Sequence, residues 1–265
     1  MRYITPFLLT LLLLCSVSQA QQFAIQPGTI SFNVDPGKTQ TQVVRITNAS
    51  NKKLAFQAYL NDWLRDSTGG HSYFRPDTLK RSCATWVTLS RNFIEIQPNQ
   101  TEEILVTLNG PADQAQFEQA KWAMLFIQSV EEQETAKSSK ELKTQVKEII
   151  RVGVHLYQTP NNITKSAAQA LSLRPAKDKG TYEFVVANAG DIMLQCKATL
   201  TLTNTQNGEE IKLDRVEFPM FPDGKRIVRF AIPEKIAKGK YSALAVLDIG
   251  EDQELQAIEK SIEIK

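Results

Sequence analysis

Residues 146–160 read VKEIIRVGVHLYQTP, and this run decides the fold class. Val146, Ile150, Val152, Val154 and Leu156 share one parity, interrupted at Glu148, and Val and Ile dominate the run. Period-two alternation built on β-branched residues marks a β-strand. Gly153 is the only residue in it that resists a strand. A charge-rich run, 131–145, precedes it and Thr159-Pro160-Asn161-Asn162 follows, so the strand closes a first unit and points into a second. Two placements are open: an accessible edge with unpaired backbone groups, or an internal strand paired on both sides with its apolar face in a core.

Upstream, strands are predicted over 23–34 (interrupted by Pro27-Gly28), 40–47, 54–64, 86–89, 93–96, 101–108 and 122–130. Turn residues separate them, as in Asp35-Pro36-Gly37-Lys38, where Pro presets one φ and Gly supplies a positive one. Residues 71–83 read as irregular, 112–120 as one or two helical turns, and 131–145 as a solvated loop. Downstream, strands are predicted over 181–187, 192–203, 211–218, 226–232, 241–249 and 255–264, with Asn207-Gly208 as a hairpin signal. Many short strands with turn chemistry between them predict an all-β sandwich, and 265 residues suffice for two. The halves share three landmarks in order, which suggests two related modules. Arg45-Ile46-Thr47-Asn48-Ala49-Ser50 matches Val185-Val186-Ala187-Asn188-Ala189-Gly190. Ile96-Gln97-Pro98-Asn99-Gln100 parallels Phe221-Pro222-Asp223-Gly224, and Lys121-Trp122-Ala123 parallels Lys240-Tyr241-Ser242-Ala243.

Residues 1–20 are of another kind. Arg2 gives a positive start, 7–17 is apolar apart from Thr10 and Ser16, and Ser18-Gln19-Ala20 is a small-x-small cleavage site. This is the pattern of a secretory leader, with Gln21 the expected new N-terminus. The apolar run is shorter than the roughly 20 residues of a membrane anchor, so no membrane insertion is expected once the leader is removed. Without Arg2 the 31 Lys and Arg become 30, against 29 Asp and Glu. That near-neutral balance makes no electrostatic case for a nucleic-acid partner. Export permits a disulfide, but Cys83 and Cys196 lie in different halves and spacing does not establish a bridge. Cys196 alternates with Leu194, Ala198, Leu200 and Leu202 and is expected to face a core.

Catalytic chemistry is hard to assemble. His71 and His155 stand in different contexts, and His155, opposite in parity to Val154 and Leu156, reads as an exposed or edge-facing strand residue. No phosphate-cradling glycine loop, zinc spacing or nucleophile elbow is present. No enzyme activity, metal or cofactor is expected. Tyr59, Trp63 and Trp86 are candidates for a carbohydrate surface, against the plainer reading of aromatics in a sandwich core.

Residues 23–160 resemble the periplasmic pilus-assembly chaperones of the chaperone–usher system. The resemblance rests on the leader, Ile30-Ser31-Phe32-Asn33-Val34-Asp35-Pro36-Gly37-Lys38, Val44-Arg45-Ile46-Thr47-Asn48, Trp86-Val87-Thr88-Leu89-Ser90, the Pro98 turn, Trp122-Ala123-Met124-Leu125-Phe126, and residues 151–160 ending in Tyr-x-x-Pro. It implies two immunoglobulin-like β-sandwich domains in tandem, with bounds 1–20 for the leader, 21–160 and 161–265. It also implies a periplasmic location and a partner that is a protein subunit of a surface or secretion system. Such a partner is held by β-strand addition, where backbone bonds supply affinity and alternate side chains fill pockets. On that reading the client-binding residues are Val146, Ile150, Val152 and Val154. The family anchors a client carboxylate with an Arg in the first strand and a Lys in the last. Thr29 and Gly153 stand there in this chain, which leaves Arg45 and Arg151 as possible carboxylate contacts. The alternatives are a structural or adhesive surface module and a carbohydrate-binding module. Limited proteolysis is expected to cut first within 159–168 or 131–145; first cleavage inside 122–130 would show the strand plan to be wrong.

Overall fold

The computed structural model describes residues 22–130, 133–135, 146–250 and 253–264, with backbone alone at 133–135 and 146–148. The expected leader lies outside the described residues, as does most of the polar run 131–145. In chain order the strands are β1 (Phe23–Gln26), β2 (Thr29–Phe32), β3 (Thr39–Asn48), β4 (Leu54–Arg65), β5 (His71–Phe74), β6 (Val87–Leu89), β7 (Phe93–Ile96), β8 (Thr101–Asn109), β9 (Lys121–Ser129), β10 (Gln133–Thr135), β11 (Val146–Glu148) and β12 (Arg151–Gln158). They continue with β13 (Ala168–Pro175), β14 (Thr181–Asn188), β15 (Leu194–Asn204), β16 (Glu210–Lys212), β17 (Val216–Met220), β18 (Lys225–Ala231), β19 (Gly239–Asp248) and β20 (Gln256–Ile264). The helical turn expected within 112–120 is one 3-10 turn, Gln114–Phe117, where the Asp113 side chain accepts from the Ala115 N–H.

These strands make two immunoglobulin-like sandwiches. In the first, a sheet ordered β1-β3-β8-β6 faces a sheet ordered β2-β12-β9-β4-β5, with β7 also on β4. In the second, β13-β14-β18 faces β16-β15-β19-β20, with β17 on β15. The orders β1-β3-β8 and β13-β14-β18 correspond, as do β12-β9-β4-β5 and β20-β19-β15-β16. The repeat seen in the landmarks is therefore a repeat of topology. Each sandwich closes on its own core, around Phe32, Phe56, Ile104 and Leu125 in the first and Phe184, Leu200, Phe230 and Leu247 in the second. Cys83 lies in one core and Cys196 in the other, both as buried free thiols, so they are not bridged.

The landmarks have a chemical cause. Asn48 is wholly buried; its amide donates to the Ile96 and Lys52 carbonyls at 3.0 and 2.7 Å, and its carbonyl oxygen accepts from the Ser50 N–H. Asn188 repeats this, donating to the Met220 and Ile192 carbonyls at 3.1 and 2.8 Å and accepting from the Gly190 N–H. The Asn48 N–H donates to the Gln100 carbonyl, and the Asn188 N–H to that of Gly224. Each accepting turn follows a proline with a left-handed residue, Asn99 at φ 58° and Asp223 at φ 62°. Asn and Asp tolerate that conformation better than other non-glycine residues. One asparagine in each module thus pins its two sheets together through a proline turn.

Four expectations are corrected. Residues 71–74 form β5 on β4, where an irregular stretch was expected. The strand β13 was not anticipated; a bulge between Ala170 and Ser172 breaks its alternation. The predicted 211–218 strand is two, β16 and β17, on different parts of β15. The strand expected over 146–160 is also two: β11 pairs with β10 in a two-stranded ribbon, and β12 alone joins the sandwich. Asn48→Ala and Asn188→Ala each strand buried backbone groups and are expected to cost about 2–4 kcal/mol. Urea unfolding checks the magnitude; hydrogen exchange should show the loss of protection in β3 and β8 for N48A and in β14 and β18 for N188A.

Candidate functional site

The strand β12 has two faces and two edges, and each does something different. Its even positions, Val154 and Leu156, are fully buried in the first core. Its odd positions, Gly153, His155 and Tyr157, look outward from the sandwich. Antiparallel pairing with β9 runs along the whole strand, from Arg151↔Gln128 to Gln158↔Lys121. Parallel pairing with β2 covers only His155↔Thr29 to Gln158↔Phe32. Among the described residues the strand is thus internal over 155–158 and paired on one side over 151–154. The Ser129 N–H donates to the Ile150 carbonyl, which sets the alternation of the ladder. By that alternation the N–H and C=O groups of Arg151 and Gly153 point away from β9, beyond the end of β2.

The residues expected to meet a client divide accordingly. Val154 has no exposure, so its side chain serves the core and is not available to a partner. Ile150 and Val152 are partly exposed beside the open edge. The side chain of Val146 lies outside the described residues, and its backbone belongs to the β10–β11 ribbon. Arg45 and Arg151 do not come together. Arg45 is on β3 in the facing sheet, bonded to Glu103 at 2.9 Å. Arg151 lies over the Phe126 ring at 4.3 Å and near Tyr73 at 5.4 Å. Gly153 has a packing reason: a Cβ there would meet the Met124 sulfur at 2.7 Å and the Phe126 ring at 3.3 Å.

Part of the outward face of this sheet is covered by the second sandwich, while His71, Tyr73 and Arg151 remain exposed on it. Trp63, Trp122, Met124 and Phe126 form a third apolar cluster with Phe221 from the second sandwich. Trp63 is wholly buried, and its indole N–H donates to the Ala123 carbonyl. That removes it from any sugar-stacking surface. Trp86, on the other side of the first sandwich, packs on Phe117, and Tyr59 bonds to Gln128, so the three aromatics considered for a carbohydrate site do not converge. The rings of His155, His71 and Phe221 meet Trp63 edge-on at 4.8, 4.9 and 5.1 Å. His155, expected at an exposed edge, is therefore half-buried. Its parity was read correctly, but Trp63, His71 and Tyr157 pack around it on the face to which that parity assigns it.

Cations gather around this cluster. Arg65 lies over Trp63 at 5.8 Å and is paired in register with His71. Arg226, from β18, brings its guanidinium against Gly69, and the Ile227 N–H donates to the Ser67 carbonyl at 2.8 Å across the seam. Arg81 bridges to Asp223 at 2.6 Å. None of these was legible beforehand, because residues from 63–71 and 219–227 meet only when the sandwiches dock. Burial, then the nearby Arg65 charge, lowers the His71 pKa, with Asp66 opposing. Burial also lowers that of His155, against the Gly28 backbone and with His71 and Arg65 adding to the fall. Burial raises the Tyr157 hydroxyl to about 12.

The chain is similar in architecture to solved pilus chaperones. The CsuC–CsuE chaperone–tip adhesion subunit complex of the archaic Csu pili of Acinetobacter baumannii aligns with a TM-score of 0.48 and 16% identity, covering 90% of this chain and 98% of that one. The class 5 fimbriae chaperone CfaA aligns at 0.47 and 11%, covering 90% and 98%. The E. coli chaperone DraB aligns at 0.44 and 11%, covering 92% and 97%. At these values the likeness is one of fold and carries no function across. No family model and no curated protein matches the chain.

The histidine pair predicts acid sensitivity. In the unfolded chain both rings take up a proton near the ordinary value of 6.5, and in the fold both resist it. Their contribution to stability is complete above that pH and is lost as pH falls through the lower folded values. Urea midpoints of the full chain should fall between pH 7 and 5, and less steeply for His155→Phe and His71→Phe.

Proposed function

We propose that the protein is an exported chaperone that binds a protein subunit of a surface assembly by strand addition at the open edge of β12. The observation that carries this reading is the one-sided stretch 151–154. It offers outward backbone groups at Arg151 and Gly153, with the partly exposed Val152 and Ile150 beside them. An unpaired edge flanked by apolar side chains is a template for another strand unless something covers it. Added strands gain affinity from main-chain bonds and specificity from alternate side-chain pockets. The sequence resemblance over 23–160, the leader pattern and the tandem of sandwiches support the same reading. In it Val154 and Leu156 hold the strand in its own core, and Ile150 and Val152 are the side chains offered to the client. Binding at this edge would take place in the periplasm after leader removal.

The edge reading separates two proline variants. Arg151→Pro removes an outward donor that β9 does not use, whereas Val152→Pro removes a ladder bond to β9 and should lower the unfolding midpoint. A photo-crosslinker at residue 149, in the full chain expressed in an exporting host, should capture subunits of one exported assembly. Arg151→Pro should keep a near-native unfolding midpoint and abolish that capture. Unchanged capture by R151P would place the binding surface elsewhere.

A further inference from the structure

Two arginines on opposite sides of the seam between the sandwiches each keep one buried nitrogen unmatched. Arg65 lies over Trp63 and Arg226 over Phe218, yet Arg65 Nε and Arg226 Nη1 find no hydrogen-bond acceptor among the described residues, nor does His155 Nε2. Buried charged donors are almost always matched, because leaving one unmatched costs more than a neutral group would. Both arginines wall one cavity of about 20 Å³, together with Asp66, Met220, Phe221 and Lys225. The one carboxylate on its wall is Asp66, whose Oδ1 accepts from the Thr68 hydroxyl and from the Thr68, Gly69 and Gly70 amides, so it offsets one of the three cations there and bonds to neither arginine. Burial, and then the charge of Arg65, lowers the Arg226 pKa, with Asp66 opposing, so the two guanidinium groups feel each other across the seam.

The surroundings extend the same charge. A cleft of about 600 Å³ shares Arg65, Asp66, Phe221, Gly224 and Lys225 with the cavity and adds Lys80 and Arg81. Its other carboxylate, Asp223, is held by Arg81. Guanidinium groups match oxyanions in geometry as well as in charge. The cavity has room for little more than one oxygen atom, since a single water-sized sphere needs about 10–15 Å³. A small oxyanion can place one oxygen between the arginines and extend the rest into the cleft.

We propose that Arg65 and Arg226 form an oxyanion-binding site shared by the two sandwiches, which takes a carboxylate or phosphate group and ties the sandwiches together when filled. The site lies on the seam, on residues 65–66 and 219–226, and does not depend on the strand-addition reading of β12. Arg65 comes from the end of β4 and Arg226 from β18, so neither sandwich holds the site alone.

The test uses the full chain at pH 7 and constant ionic strength, titrated separately with inorganic phosphate, acetate and chloride. Thermal unfolding and calorimetry should show saturable binding of phosphate, acetate or both, with chloride ineffective. The phosphate and acetate arms tell a phosphate ligand from a carboxylate one. Arg65→Gln and Arg226→Gln should each weaken the apparent Kd at least tenfold, while Arg174→Gln, in an exposed ion pair with Glu183, should not. If either variant fails to fold, the wild-type Arg65 and Arg226 side-chain N–H resonances decide, since both should shift saturably with the same anion. Equal effects of all three salts, binding that survives both variants, or unmoved arginine resonances would overturn the proposal and leave those donors to bound water.

Discussion

The contact of Trp63 with Phe221 is the constraint on which the rest of this molecule depends. A tryptophan on the outward face of a sandwich sheet is costly to leave in water, and burying a side chain of that size contributes several kcal/mol. Here it is wholly covered, with Phe221 of the second sandwich edge-on at 5.1 Å and Trp122 against the same phenyl ring at 4.9 Å. The β9 strand is therefore buried on both faces, with Ala123, Leu125 and Ile127 in the first core and Trp122, Met124 and Phe126 in the seam. A strand apolar on both faces reads as a continuous run, and that is how residues 122–130 read in the sequence.

The same contact controls the electrostatics. The aromatic centre it forms gathers half-buried His155 and the more exposed His71 around Trp63, beside Arg65. It also brings the 66–70 turn against Arg226. Charged and titratable groups collect there because the seam is where two surfaces, each with its own polar rim, close on one aromatic centre. The ion pair of Arg81 with Asp223 and the amide of Ile227 on the Ser67 carbonyl fix the second sandwich around that centre. The rim is thus matched at two points, and at a third one buried nitrogen of Arg65 and one of Arg226 find no acceptor among the described residues.

The open edge of β12 has a different origin. Between β1 and β2 the chain passes from one sheet to the other, so β2 meets β12 only from His155 onward. Beyond that point β12 keeps β9 on one side and nothing from β2 on the other. Gly153 sits at this place because Met124 and Phe126 fill the space a side chain would need. A side chain at 153 would require Met124 and Phe126 to shift, and the positive charge of the seam comes from other strands.

Much of the fold was legible in the chain itself. Alternating parity identified most strands, proline turns separated them, and the Asn48 and Asn188 landmarks revealed a duplicated module, because each of these signals is local or repeats at a fixed order. Parity also told correctly which side of β12 carries Val154 and which carries His155. It could not tell what lies against each side. Val154 went to the core and Ile150 and Val152 to the edge according to where β2 ends, and His155 was half-buried against Trp63 and His71, which lie more than eighty residues away in sequence. The pairing of Arg65 with Arg226 had no sequence signal, since neither lies in a motif and their approach is a consequence of docking. Local patterns determine strands and faces, because side-chain direction alternates with the backbone; only the tertiary structure decides which faces are covered and which charges meet, because burial and electrostatics depend on distance in space.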